Sequence, residues 1–292
     1  MKYAWIAEHR TEFPIIAMCS TLKVSRNGYY YWCKHGSRGE DPHLLQLVEE
    51  IFESSFKTYG TRRIKATLQK QYGWVVSRRR IGKAMKTLGL KAKTKQRFKV
   101  HTTDSKHTLP ISPNLIDQDF YASAPAEAYV GDITYIKTKE GWLYLAVVID
   151  LYARMVVGYA IAEHMRASLI IQALKEANYR RGGIKKEAIF HSDRGSQYAS
   201  QAYRELLETF GMRQSMSGKG NCYDNAACES FFGSLKTELI FPTKFQTKKE
   251  AKRSLIHYIG FYNTKRLHSY NGYCSPLEME LMWWQSQFRE PA

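Results

Sequence analysis

Three acids, Asp132, Asp193 and Glu229, stand where a carboxylate needs a reason to be. Asp132 lies inside the alternating apolar segment AYVGDITYI, where a charge is costly unless it is paired or binds a metal. Asp193 closes the short apolar run AIFHSD, directly before the turn RGSQ. Glu229 lies on a predicted helix, NAACESFFGSLKTE, between small residues and Ser230-Phe231-Phe232. Taken singly, each has an ordinary reading: an edge-strand acid, a turn residue, an exposed helix acid. Brought together, they would supply the hard oxygen ligands that Mg²⁺ or Mn²⁺ prefer. Two such ions, about 3.5–4 Å apart, activate the attacking oxygen and stabilise the leaving oxygen of a phosphodiester without a covalent enzyme intermediate.

Acids this far apart in sequence converge only if strands and helices carry them. From about residue 126 the pattern alternates like strands over 128–138, 142–154 and 155–165. A helix is predicted over 166–182, a short strand over 186–193, a helix over 200–211, a strand over 212–217 and a helix over 225–240. Three antiparallel strands, helix, strand, helix, strand, helix is the order of an α/β RNase H-like fold, a mixed sheet flanked by helices. The catalytic core is placed at 126–240, and a C-terminal helical extension at 241–292 includes a helix over 248–263. In that extension Tyr262, Asn263, Arg266 and His268 are expected to pack on the Glu229 helix and line a DNA channel, and Trp283-Trp284 to fill a hydrophobic seam. Arg266 and His268 read equally as structural residues or phosphate contacts.

Residues 1–90 read as short helices forming two helix-turn-helix-like units. The first spans 13–22 and a helix capped by Ser25; the second spans 61–70 and a helix capped by Ser77 that stops near Gly89. Arg62, Arg63, Arg78, Arg79 and Arg80 are the candidate DNA contacts, the last three opening the second helix of the pair. Residues 91–125 lack periodicity and read as a basic linker that tracks a phosphate backbone. Asp224 and Asn225 are expected to cap the Glu229 helix, in a loop that includes Asn221 and Tyr223. His191, Ser192 and the turn residues Gly195, Ser196 and Gln197 frame Asp193.

The 292-residue chain carries a formal charge of +17, and nearly all of it lies in the first part. Residues 1–110 hold 22 basic against 8 acidic residues, and 57–106 hold sixteen basic residues and one acid, Asp104. A field so one-sided favours nucleic acid as the partner. No apolar run reaches the roughly 18–20 residues of a membrane span, so no membrane is expected. The start of the chain does not resemble a secretory signal, which places the protein in the cytoplasm or nucleoid. Five cysteines form no CxxC pair, against a disulfide framework, and His9, Cys19, Cys33 and His35 are poorly spaced for zinc.

The segments HSDRGSQYAS, NCYDNAACESFFGSLKTEL and YNTKRLHSYNGYCSPLEM closely resemble blocks of the DDE transposases and retroviral integrases, and most of all the second-frame (OrfB) product of the insertion-sequence-three family. Thirty-five residues separate Asp193 from Glu229, and Lys236 follows Glu229 by seven, both as in that superfamily. The resemblance covers roughly residues 10–285. It implies a transposase in which Asp132, Asp193 and Glu229 hold two Mg²⁺ or Mn²⁺ ions and Lys236 contacts DNA. It further implies strand cleavage and 3′-OH transfer on terminal inverted repeats and target DNA, by a homo-oligomer assembled on the double helix. This family often joins an upstream-frame product by frameshifting, so a fusion partner is expected too. A DNA-binding regulator that keeps the fold, and an RNase H-type nuclease on RNA–DNA hybrids, are the alternatives.

Overall fold

The computed structural model describes residues 2–35, 41–93, 108–218 and 225–288. Alternation of apolar and polar side chains sets β1 (Ala128–Thr138), β2 (Gly141–Asp150) and β3 (Met155–Ala162) into an antiparallel meander. The short β4 (Ile189–Ser192) and β5 (Arg213–Met216) add in parallel, giving the order β3-β2-β1-β4-β5. Parallel neighbours need crossover connections, supplied here by α7 (Ala167–Arg180) and α8 (Gln201–Thr209).

Both faces of the sheet are covered. On one, Leu169, Ala173, Leu174 and Ala177 of α7 pack against Ala146, Val148, Val157 and Ala160. Gly158 makes that approach possible, because a Cβ there would lie closer than 3.0 Å to the Ala173 carbonyl oxygen and to Ala177. On the other face α9 (Ala226–Leu235) and α10 (Lys248–Thr264) bring Cys228, Phe231, Leu235, Leu255 and Tyr258 onto Val130, Leu145, Val147 and Ile149. The Asn263 amide pins α10 to β3, accepting the Val156 N–H at 3.0 Å and donating to the Val156 carbonyl at 2.8 Å.

The N-terminal helices form two small cores. α1 (Lys2–Glu8), α2 (Ile15–Thr21) and α3 (Arg26–His35) meet around Ile6, Met18, Cys19 and Tyr29. α4 (Pro42–Ser54), α5 (Thr61–Tyr72) and α6 (Arg78–Thr87) meet around Leu47, Ile51, Ile64, Leu68 and Ile81. Local chemistry sets their ends. Asp41 accepts the His43 N–H with Pro42 at the first position, Gly73 closes α5 at φ 64°, and the Ser77 hydroxyl accepts the Arg80 N–H. α4 stands before the second helix pair and α11 (Pro276–Gln287) in the tail; neither was singled out by sequence.

Two expectations need correction. Residues 112–125 are not a linker running along DNA. The Ser215 hydroxyl accepts the Leu115 N–H at 2.8 Å, Ser112 bonds Gln214, and Ile116 and Ala122 enter the core beside α9 and α10. Residues 94–107 of that stretch lie outside the described residues. Of the two tryptophans, Trp283 packs half-buried on Tyr152, whereas Trp284 is exposed. Among the described residues no helix is long and apolar enough to cross a membrane.

Candidate active site

Strand β4 pairs with β1 only along Ala128–Val130, and among the described residues no strand pairs with that edge of β1 beyond. Asp132 stands just past this point, and β4 releases the chain at Ser192, so Asp193 follows at the same end of the sheet. Asp193 Oδ1 accepts the Gly195 N–H at 2.9 Å, and the turn closes with the Tyr198 N–H on the Gly195 carbonyl at 3.0 Å. Glu229 occupies the exposed first turn of α9, where a negative charge suits the positive end of the helix dipole. Gly131 lets Phe190 and Tyr198 close behind the site, since a Cβ there would overlap the Phe190 ring.

The electrostatics tie the three acids together. Burial first, then the Asp193 charge, and to a lesser degree the Glu229 charge, raise the Asp132 carboxyl well above its ordinary 3.8. The Ile133 N–H, accepted by Asp132 Oδ1 at 2.7 Å, and the Lys236 ammonium oppose this. Asp150 makes an instructive contrast. It is fully buried, but Arg181 meets it at 2.7 Å and also pairs with Glu280, so its charge has a dedicated partner. Asp132 faces two further carboxylates instead. As the side chains stand, no three acidic, histidine or cysteine groups among the described residues close on a single point. The donor set is nonetheless all carboxylate, which fits a hard divalent ion and no soft one.

Lys236 stands two regular turns after Glu229, where the helix changes form. α9 ends at Leu235, and Lys236–Ile240 form a π-helical turn, with the Phe241 N–H donated to the Lys236 carbonyl at 2.8 Å. Lys236 is half-buried, its ammonium 5.7 Å from the Tyr135 ring centroid, and burial lowers its pKa while Asp132 opposes the shift. Under it lies a buried polar hub. Glu238 accepts from Arg266 Nε at 3.1 and 3.0 Å, from Arg266 Nη2 at 2.6 Å and from the Tyr258 hydroxyl at 2.7 Å. Arg266 Nη2 also donates to Ser234 Oγ at 3.0 Å, and Lys93 Nζ to the Glu238 carbonyl at 3.4 Å.

Arg266 is therefore not a DNA contact. It is buried, and its guanidinium is spent on Glu238, Ser234 and the Tyr262 ring. Arg63 is likewise turned inward, half-buried over Tyr59 beside Glu238 and Arg266, with burial lowering its pKa. Arg62, Arg78, Arg79 and Arg80 are exposed on the α4–α6 bundle; Arg78 leans on Thr61, and Arg80 lies 3.8 Å from Asp41. His268 is held neutral, pushed down to about 3 by burial and then by Arg266, Arg63 and Arg154. Tyr262 packs edge-on against Phe231 of α9 at 4.7 Å. His191 binds Ser215 at 2.8 Å and ties β4 to β5. Asn225 takes the cap position of α9 without a side-chain cap bond; Asn221, Tyr223 and Asp224 lie outside the described residues. Glu238 and Tyr258 escaped the sequence reading. Glu238 carried the same signal as Asp132, an acid among apolar neighbours, in TELI.

A five-stranded mixed sheet in this order, with an acid on its first strand and another after its fourth, defines an RNase H-like core of the integrase class. Comparison with known proteins agrees. The family profile described as "Integrase core domain" matches residues 122–222, a second profile of that description matches 210–276, and "HTH-like domain" matches 40–98. "Transposase InsF for insertion sequence IS3A" of Escherichia coli (strain K12) is 41% identical over 286 residues, 96% of this chain and 98% of that protein. The "Insertion element IS600 uncharacterized 31 kDa protein" of Shigella sonnei is 43% identical over 263 residues, 89% of this chain and 96% of that one. The chain belongs to the IS3 family of insertion-sequence transposases. Solved structures that align include the HTLV-2 integrase catalytic core domain in complex with magnesium, at TM-score 0.44 and 15% identity over 55% of this chain and 99% of that one. A simian T-cell lymphotropic virus intasome aligns at TM-score 0.48 and 15% identity, over 80% of this chain and 74% of that one.

Proposed function

We propose that this chain cuts DNA at the ends of an insertion sequence and joins the freed 3′ ends to other strands, using Asp132, Asp193 and Glu229 as its metal-holding residues. The observation that carries the reading is the Asp132 carboxyl, raised by burial and by the charges of Asp193 and Glu229, inside a member of the IS3 transposase family. Two divalent ions, Mg²⁺ or Mn²⁺, would activate the attacking oxygen and stabilise the leaving oxygen when bound. Asp132 from within β1 and Asp193 just past the end of β4 would hold them, and Glu229 would close the site from α9. Lys236, beside Asp132, takes a phosphate oxygen next to the reacting bond. In the cut, a water oxygen bonds to phosphorus and a 3′ oxygen leaves. In the joining step that 3′ oxygen bonds to a second phosphorus and displaces another. One bond is exchanged for one bond, so no nucleoside triphosphate is consumed. The exposed arginines of the α4–α6 bundle hold the double helix, and paired element ends call for an oligomer on DNA.

The test is a cleavage and joining assay. Purified chain, alone and fused to any upstream-frame product, is mixed with labelled duplex carrying the inverted repeats that flank its gene, with Mn²⁺ or Mg²⁺. End-specific nicking and joining are expected, with Glu229→Gln reducing both at least a hundredfold while duplex binding persists. Equal activity of Glu229→Gln and the unsubstituted chain would remove Glu229 from the site. Binding without cutting by both chain and fusion would leave a DNA-binding regulator as the better account.

A further inference from the structure

The β1–β2 hairpin carries an aromatic and basic stripe that begins beside Lys236, on the face of the sheet opposite the Asp132 side chain, and that the chemistry above does not use. Antiparallel pairing sets Tyr135 opposite Tyr144 and Lys137 opposite Trp142, so all four side chains share one face. Tyr135 and Trp142 meet edge to face with centroids 5.2 Å apart. Trp142 remains 46% exposed, a cost in wetted apolar surface on a strand whose last six residues are all buried. The Lys236 ammonium lies 5.7 Å from the Tyr135 ring, at the edge of β1 that β4 leaves open past Val130. Lys137 is exposed beyond it, Lys139 is exposed at the hairpin tip, and Lys244 is exposed nearby, where the Lys139 N–H bonds the Phe245 carbonyl. The neighbouring acids are already engaged by Lys248: Glu140 accepts its backbone N–H at 2.7 Å, and Glu163 its ammonium at 2.6 Å.

We propose that this stripe binds the unpaired bases of a single DNA strand next to the scissile phosphate, with Trp142 and Tyr135 as stacking platforms and Lys137 and Lys139 on the phosphates. The inference rests on the strand-cutting reading and names the form of DNA its site takes. From Asp132 to Lys137 the strand extends about 17 Å, a span of a few nucleotides. Because the two side chains lie on opposite faces, the DNA strand would pass between them over the open edge of β1 at Lys236. Rings that offer exposed faces among cations suit single-stranded nucleic acid of any sequence, because every base has a π-face to stack. A paired duplex hides those faces, so the stripe distinguishes an opened end from an intact helix.

The experiment uses the full chain and two labelled probes. One is a blunt duplex; the other is the same duplex with a short 3′ single-stranded extension containing 2-aminopurine. The chain is expected to bind the extended probe about five- to a hundredfold more tightly and to quench the 2-aminopurine, as stacking of one base predicts. Trp142→Ala removes most of that preference and the quench, Trp142→Phe keeps much of both, and neither changes blunt-duplex affinity. Since Trp142 is exposed, its loss leaves the core intact, which an unchanged Tm checks. Lys137→Gln with Lys139→Gln flattens the salt dependence of extended-probe binding by about 0.7 per cation removed. An extension preference that survives Trp142→Ala overturns the proposal, as does a quench of equal size in that variant. Cutting without any extension preference would sink this inference alone. A preference and quench that depend on Trp142, in a chain that never cuts, would sink the catalytic reading and leave the stripe.

Discussion

At the residue scale, Asp132 and Asp150 show why burial alone does not mark a functional acid. Burial raises both carboxyls, but Asp150 is met by Arg181, whereas half-buried Asp132 feels the charges of Asp193 and Glu229. The Asp132 carboxyl is thus raised, so the fold favours its neutral form. Its stabilising share is present below the ordinary 3.8 and is lost as pH rises through the raised value. Asp132→Asn keeps an oxygen for the Ile133 N–H and removes the charge. In metal-free buffer near neutral pH the variant should therefore be more stable than the parent chain, by about 0.5–2 kcal/mol, as when an active-site compromise is relieved. The gap should shrink on acidification, and Mn²⁺ should raise the Tm of the parent chain but not of the variant. Thermal melts with and without Mn²⁺, at two pH values, measure all of this. A variant less stable at neutral pH would mean that the carboxylate is well accommodated without a cation. Of the three acids only Asp132 breaks a local pattern, an acid inside an apolar strand; Asp193 and Glu229 are picked out by their spacing and the resemblance. Arg63 and Arg266 were misread for the opposite reason: an arginine in a basic stretch looks the same whether it meets a phosphate or a buried glutamate, and only tertiary packing separates the two.

At the element scale, the helix that carries Glu229 runs regularly only as far as Leu235. It changes to a π turn at Lys236, and that turn sends Glu238 inward to Arg266 and Tyr258. The seven residues from Glu229 to Lys236 make two regular turns, and nothing in SLKTELI signals the wider turn that follows. The pairing partner lies twenty-eight residues on, in the extension. Strand and helix order was far more legible, because periodicity of two or near 3.6 is written locally, and β1 appears with the predicted ends. The Glu238–Arg266 pair positions Lys236 rather than touching DNA, and its energetics follow from burial. Arg266→Met leaves a buried, uncompensated carboxylate and should cost about 3–5 kcal/mol. Adding Glu238→Leu should recover much of that loss, since the stranded charge goes too. Urea unfolding of the two single variants and the double variant measures the coupling. If the double variant is as unstable as the sum of the singles, the two side chains act independently and the hub is no unit.

At the scale of the whole molecule, the α4–α6 bundle is fastened to the RNase H-like core through the C-terminal extension. The Tyr59 hydroxyl donates to the Lys265 carbonyl at 3.2 Å and accepts the Leu267 N–H at 2.8 Å, Leu267 sits in the α4–α6 core, and Lys70 pairs with Glu278 at 2.9 Å. Phe56, just after α4, packs on Phe261 of α10 with centroids 4.7 Å apart. The charge asymmetry of the chain was plain from composition, but which basic residues face outward depends on this docking. Arg63 lies on its inner side, over Tyr59, whereas Arg79 is exposed at the start of α6. The two arginines should therefore fail differently. Arg79→Gln removes one phosphate contact, so the slope of log K against log salt for a labelled duplex should flatten by about 0.9, with Tm unchanged. Arg63→Gln removes a cation held against Tyr59 and close to Glu238, so Tm should fall while the salt slope stays within error of the parent chain. Fluorescence anisotropy over a salt series, paired with thermal melts, gives both readings on the same preparations. The reverse result, a flattened slope for Arg63→Gln and none for Arg79→Gln, would put the DNA on the face of the bundle that the extension covers here. The bundle would then have to leave the extension before DNA could reach it.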